Sequence, residues 1–250
     1  MRPGRLDAAG QNSALMMGMP KTPFRALAFD FDGTLAVQNL DFALMKRRLA
    51  ALAEIFLEEA VSPDGLPALE WVERLAGLVL ERQGRNVSLE FHTRCRFLIM
   101  DMEIKAASAG RLFPSTRPML AALRGRGVRT AVITRNCTPA VATVFPDIAA
   151  HVDCLLARES APRVKPDPVH LLAALERLGV RPEETLMVGD HPMDVLVGRR
   201  AGTATAAVSS GGTPADALRA AGPDYLAEDC ARLMDMLDSE GLLARSAPMP

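Results

Sequence analysis

Ala26-Leu27-Ala28-Phe29 runs directly into Asp30-Phe31-Asp32-Gly33-Thr34-Leu35, so two carboxylates stand where a buried strand would give way to a loop. Side chains of an extended segment alternate sides, which turns Asp30 and Asp32 the same way and sends Phe31 back toward the core. Two acids sharing one small space point to chemistry more than to an ordinary acidic turn. A calcium loop does not fit: its glycine is due at the sixth position, where Leu35 stands, and Asp41 occupies the place of the bidentate glutamate.

Four further apolar runs have the near-continuous hydrophobicity of strands buried on both faces: Val128 to Ile133, Val152 to Leu156, Thr185 to Val188 and Thr205 to Val208. Helical patterns lie between them. Thr138-Pro139, Lys165-Pro166 and His191-Pro192 read as helix starts, with proline near the first turn. Leu178-Gly179, Ala201-Gly202 and Ala221-Gly222 read as helix ends. Strand and helix in alternation predict a doubly wound α/β domain with a mainly parallel, Rossmann-like sheet.

That alternation breaks between about Val37 and Ser115, where three helical stripes and no convincing strand occur. Leu44, Leu49, Leu52 and Ile55 form one stripe, Leu66, Leu69, Val72, Leu75 and Val79 a second, and Cys95, Leu98, Ile99 and Met102 a third. They predict an inserted helical bundle over 37–113, with Trp71 as a packing residue. The two crossings, near Ala36 to Leu40 and Ser108 to Thr116, would form a hinge. The sheet domain would then comprise 24–36 and 114–240, with a disordered tail over 1–23 and a frayed end over 241–250. Met17 and Met19 are plausible alternative starts.

The bulk numbers narrow the partners. With 49% hydrophobic residues the chain buries a substantial core, and 29 Lys and Arg against 30 Asp and Glu give no global attraction to nucleic acid or to an anionic membrane surface. No uncharged run approaches the ~20 residues of a membrane helix. The four cysteines, Cys95, Cys137, Cys154 and Cys230, are scattered without a Cys-x-x-Cys pair, which suits free thiols in the cytoplasm.

Three more polar signals fall at strand ends or at the helix starts that follow, where open parallel sheets bind ligands. They are Thr134, Lys165 at an expected helix N-terminus, and Gly189-Asp190-His191-Pro192-Met193-Asp194, in which Asp190 and Asp194 are one helical turn apart. Singly each is weak; in this order, behind the Asp30 motif, they resemble the haloacid dehalogenase superfamily over about Arg25 to Tyr225. The resemblance, to the phosphoglycolate phosphatase-like branch, implies a helical cap inserted after the first motif. It implies Asp30 as nucleophile, Asp32 as general acid and base, and Mg²⁺ held by Asp30, Asp190, Asp194 and the backbone carbonyl of Asp32. Gly33, Thr134, Arg135 and Lys165 would meet the phosphate, Arg135 through its backbone amide, with Lys165 offsetting negative charge.

The expected activity is hydrolysis of a small phosphorylated metabolite by a monomer or homodimer, without nucleic-acid or membrane partners. A phosphomutase uses nearly the same residues and stays open, as does, less favoured, a non-catalytic binding module. Asp32 argues against a dehalogenase. Ala36-Val37-Gln38 stands where phosphoglycolate phosphatases usually have a polar pair, which weakens phosphoglycolate as the substrate. Lys46, Arg47, Arg48, Arg85, Arg94 and Arg96 read as solvated residues, His191 as a helix cap, and Gly211-Gly212-Thr213-Pro214 as turn chemistry.

Overall fold

A computed structural model describes residues 22–244 of the chain. Six strands form one parallel sheet: β1 (Ala26–Phe29), β4 (Arg129–Ile133), β5 (Cys154–Leu156), β6 (Thr185–Gly189), β7 (Ala204–Val208) and β8 (Tyr225–Ala227), in the order β5-β4-β1-β6-β7-β8. The chain builds outward from β1 on one side, then returns to its other side. That reversal opens a crevice at the carboxyl ends of the central strands. β1 is fully buried. Leu27 and Phe29 pack toward α4 (Thr116–Gly125) and α9 (Cys230–Ser239), while the smaller Ala26 and Ala28 face α6 (Val169–Leu178) and α7 (Pro192–Ala201). Gly179, Gly202 and Gly222 end their helices in the left-handed conformation, as expected.

The insertion consists of α1 (Phe42–Leu57), α2 (Ala68–Gln83) and α3 (Arg85–Ala107), which share a hydrophobic cluster of their own. Trp71, Phe91 and Cys95 are completely buried in it. Both crossings are tied together: β2 (Ala36–Val37) and β3 (Arg111–Leu112) pair antiparallel, Ala36 opposite Leu112 and Val37 opposite Arg111. The end of α3 also packs on α5 (Thr138–Val144) through Ala107, Cys137 and Ala140.

Several expectations need correction. The sheet has a sixth strand, β8, and the insertion is flanked by the β2–β3 ribbon; two- and three-residue strands carry too little pattern to be read. Ile55 is exposed, because the α1 stripe is centred on Met45, Leu49, Ala53 and Phe56. α6 starts at Val169, after Lys165, because Pro166 and Pro168 each disfavour helical geometry in the residue before them. Lys165 therefore does not sit at a helix N-terminus.

Residues 241–244, expected to fray, are held: Leu242 and Leu243 are buried, and Phe24 donates its backbone N–H to Leu242 O at 2.7 Å. The tail predicted over 1–23 lies, up to residue 21, outside the described residues, as does 245–250. All four cysteines are buried free thiols, and no helix among the described residues is long and apolar enough to cross a membrane.

Leu75, 2% exposed in the inserted cluster, is a clean point at which to test its packing. Leu75→Ala is expected to cost about 2–5 kcal/mol of stability. The fluorescence of Trp71, the chain's single tryptophan, during urea unfolding measures it.

Candidate active site

At the end of β1 the backbone folds into a tight turn, with Leu35 and Ala36 N–H both donating to Phe31 O. This turn buries Phe31 and leaves Asp30 and Asp32 in the wall of one cavity of about 1080 Å³. The cavity lies between the sheet and the inserted helices, and Thr134, Arg135, Lys165, Asp190 and Asp194 line it as well. These seven residues, far apart in the sequence, thus line one cavity, and Gly33 joins them.

Lys165 is the centre of the cluster. Its Nζ lies 2.7 Å from Asp30 Oδ1 and 2.6 Å from Asp194 Oδ1, and its side chain is 2% exposed. Burial alone would depress the ammonium pKa, but the charges of Asp194 and Asp30 outweigh it and raise the pKa. Asp30 Oδ1 also accepts the Phe31 N–H at 2.7 Å, which presents the carboxylate in one orientation. Asp194 accepts from Lys165 and, through Oδ2, from His191 N–H at 3.1 Å. His191 itself caps α7, its Nδ1 accepting from Met193 N–H.

The acids are crowded. Burial, then the charge of Asp30, pushes Asp32 up to about 7. Asp190 is raised by burial and by Asp30 and Asp194, and Asp194 is raised by burial against the pull of Lys165. Ligand oxygens of Asp30, Asp190 and Asp194 all lie within 4.8 Å of one another. An all-oxygen set with more negative charge than one ammonium can offset is the donor set a hard divalent cation takes, so the residues fit Mg²⁺. Two glycines make the approach possible. A Cβ on Gly33, whose φ is +79°, or on Gly211 would overlap the Asp190 carboxylate. Gly211 therefore belongs to the site, although its sequence reads as an ordinary turn.

Thr134, 1% exposed, accepts the Asn136 N–H on its hydroxyl oxygen at 3.0 Å, which leaves the hydroxyl proton to be donated. Arg135 was expected to serve through its backbone amide; its guanidinium is engaged elsewhere. It makes a two-pronged ion pair with Glu70 of α2, both contacts at 2.6 Å, and donates to Lys165 O at 2.8 Å. A second Arg–Glu pair, Arg158 to Glu103 of α3, is deeper, with side chains 7% and 6% exposed.

His170 was not foreseen. It is fully buried, accepts Lys165 N–H on Nδ1 at 3.2 Å and meets Leu156 O with Nε2 at 3.1 Å, so it is neutral and protonated on Nε2. Burial, reinforced by Lys165, holds its pKa down at about 4. Its location on the first turn of α6 carries no sequence sign of this role.

Residues 24–202 match the sequence profile of the haloacid dehalogenase-like hydrolases. The chain belongs to this family. A phosphoglycolate phosphatase of Haemophilus influenzae is 30% identical over 233 residues, spanning 86% of this chain and 99% of its own. One of Vibrio vulnificus is 26% identical over 235 residues, spanning 88% and 98%. Among solved structures, a phosphonoacetaldehyde hydrolase-like protein of Oleispira antarctica superposes with a TM-score of 0.63 at 18% identity, covering 95% of this chain and 96% of that one. Covering 86% to 95% of this chain, these matches run through sheet and insertion together.

A cation must displace protons from Asp190 and Asp194, whose raised values mean that acid competes with it. Mg²⁺ is therefore expected to raise the melting temperature more at pH 8 than at pH 6. The stabilisation should approach ~2.7 kcal/mol once the ion is at a hundred times its Kd, and Asp190→Asn should abolish it. Thermal melts with Mg²⁺ and with chelator, at both pH values, provide the measurement.

Proposed function

We propose that this hydrolase is a Mg²⁺-dependent phosphatase that cleaves small phosphate monoesters through an aspartyl-phosphate on Asp30. The observation that carries the reading is the pairing of Asp30 with Lys165 at 2.7 Å beside a second carboxyl, Asp32, raised to about 7. One acid is ion-paired with an ammonium while its neighbour is poised to carry a proton near neutrality, which is the division of labour that ester cleavage needs.

In this mechanism the free oxygen of Asp30 attacks phosphorus, and the bond to the leaving oxygen breaks as Asp32 protonates it. Asp32, now ionised, takes a proton from water, which attacks the phosphorus of the acyl phosphate and releases inorganic phosphate and Asp30. Lys165 and the Thr134 hydroxyl donate hydrogen bonds to the phosphoryl oxygens or to Asp30 throughout. Mg²⁺, held by Asp30, Asp190 and the Asp32 carbonyl, with Asp194 reached through water, would neutralise phosphate charge and so permit the encounter of two anions. The phosphoglycolate phosphatases among the relatives favour a small ester. In the cavity wall Lys46 and Arg135 are the cations besides Lys165, and Arg135 is paired with Glu70, so the site has limited means to hold a second anionic group. The buried thiols fit a cytoplasmic setting.

The inserted helices form the mobile cap of this reading, closing over the ester and excluding bulk water. Glu70–Arg135 joins cap and core at the cavity, and its side chains are still 35% and 20% exposed. Glu70→Gln is expected to loosen closure and raise KM severalfold, the effect of ~1 kcal/mol, with kcat changed less.

The decisive test is a panel of phosphorylated metabolites, phosphoglycolate and a glucose phosphate included, assayed for phosphate release with and without Mg²⁺. Asp30→Asn is expected to lower the rate at least ~10³-fold and to abolish trapping of a phosphorylated chain. Release at the wild-type rate by that variant would remove Asp30 as nucleophile. Isomerised sugar phosphate without free phosphate would make the protein a mutase, and inertness toward every ester would make it a binding module.

A further inference from the structure

Two polar atoms in the cavity wall have no partner among the described residues although both are buried: Asp32 Oδ1 and Gln38 Nε2. A buried polar atom left unpaired costs on the order of 1–3 kcal/mol, so two of them on residues that line one cavity call for an explanation. Both belong to groups that bond the same nitrogen. Asn136 Nδ2 donates to Asp32 Oδ2 at 3.0 Å and to Gln38 Oε1 at 3.3 Å, which uses both of its protons.

The orientation of the Asn136 amide is dictated from behind. Its Oδ1 accepts the Cys137 N–H at 2.8 Å, its own N–H donates to Thr134 Oγ1 at 3.0 Å, and its carbonyl accepts the Arg158 N–H at 3.0 Å. The side chain is 5% exposed. With Oδ1 committed to a donor, Nδ2 must face Asp32. The N–H bond to Asp32 Oδ2 then fixes the plane of that carboxyl. By the same logic, Gln38 keeps Oε1 toward Asn136 and leaves Nε2 as a spare donor.

We propose that Asn136, steadied by Gln38, is a positioning residue that holds the Asp32 carboxyl in the one orientation from which it serves the leaving oxygen of the ester. The two unpaired atoms are then the counterpart of that fixed geometry: the clamp commits Asp32 Oδ2 and Gln38 Oε1 to Asn136 and leaves Asp32 Oδ1 and Gln38 Nε2 without partners. Gln38 directly follows β2, the crossing into the cap, so the clamp is assembled from core and hinge together. This inference rests on the phosphatase reading, in which Asp32 is the acid.

General acid catalysis matters for a poor leaving group and hardly at all for a good one, and that difference supplies the test. With Mg²⁺ present, kcat/KM is measured for an alkyl phosphate and for 4-nitrophenyl phosphate, whose phenolate departs without a proton, alongside the inhibition constant of inorganic phosphate. Asn136→Leu is expected to lower kcat/KM by ~10²-fold on the alkyl ester and by less than ~3-fold on the aryl ester, with phosphate inhibition unchanged. Gln38→Met, which keeps the Asn136 contacts to the backbone, should show the same selectivity at ~10-fold and serves if Asn136→Leu does not fold. Equal losses on the two esters, or no loss in either variant, would overturn the clamp. Failure of the wild type on both esters would instead remove the phosphatase reading beneath it.

Discussion

One ammonium group holds the crevice together. Lys165 sits between Asp30 and Asp194 with almost no access to solvent, and two further carboxyls, Asp32 and Asp190, share the same cavity. An isolated charge so deeply buried would be intolerable, and so would the carboxylates without it. The surrounding structure follows from that mutual dependence. His170 holds the Lys165 backbone, the His191 N–H takes the far oxygen of Asp194, and residues without side chains at 33 and 211 let Asp190 come close. Lys165 offsets only part of the acidic charge, and burial, followed by the charge of Asp30, raises Asp32, Asp190 and Asp194.

The two Arg–Glu pairs that link cap and core differ in their surroundings, and that difference assigns them different work. Arg158–Glu103 is nearly dry, and Arg158 also donates to Arg135 O. Removing one member of such a pair strands the other charge and costs several kcal/mol. This contact lies beside the small cluster between α3 and α5, so the end of α3 is tied to the core by both charge and packing. Glu70–Arg135 is wetter and can exchange its partners for water at modest cost.

Much of the site was legible because the sheet places it: Asp30, Thr134 and Asp190 follow strands whose apolar runs are unmistakable, and Lys165 and Asp194 follow them in the family's order. What escaped were contacts whose meaning lies in three dimensions. Gln38 and Asn136 are 98 residues apart, and nothing in either neighbourhood signals the other. Glu70 and Glu103 look like any acidic residue on an amphipathic helix, and only packing reveals that each faces an arginine of the core. Gly211 has the local chemistry of a turn, and its role depends on Asp190 lying against it. Ile55 shows the opposite error, an apolar residue on a helix stripe that tertiary packing left outside.

The β2–β3 ribbon gives the cap a particular kind of independence. Because its two ends leave the core side by side, at Val37 and Arg111, everything between them could be exchanged for another fold of different size without stretching or repositioning the sheet. The phosphate-handling machinery would stay behind intact, apart from the two arginines losing their glutamates. Such an architecture uncouples the size of the insertion from the spacing of the strands that carry the acids.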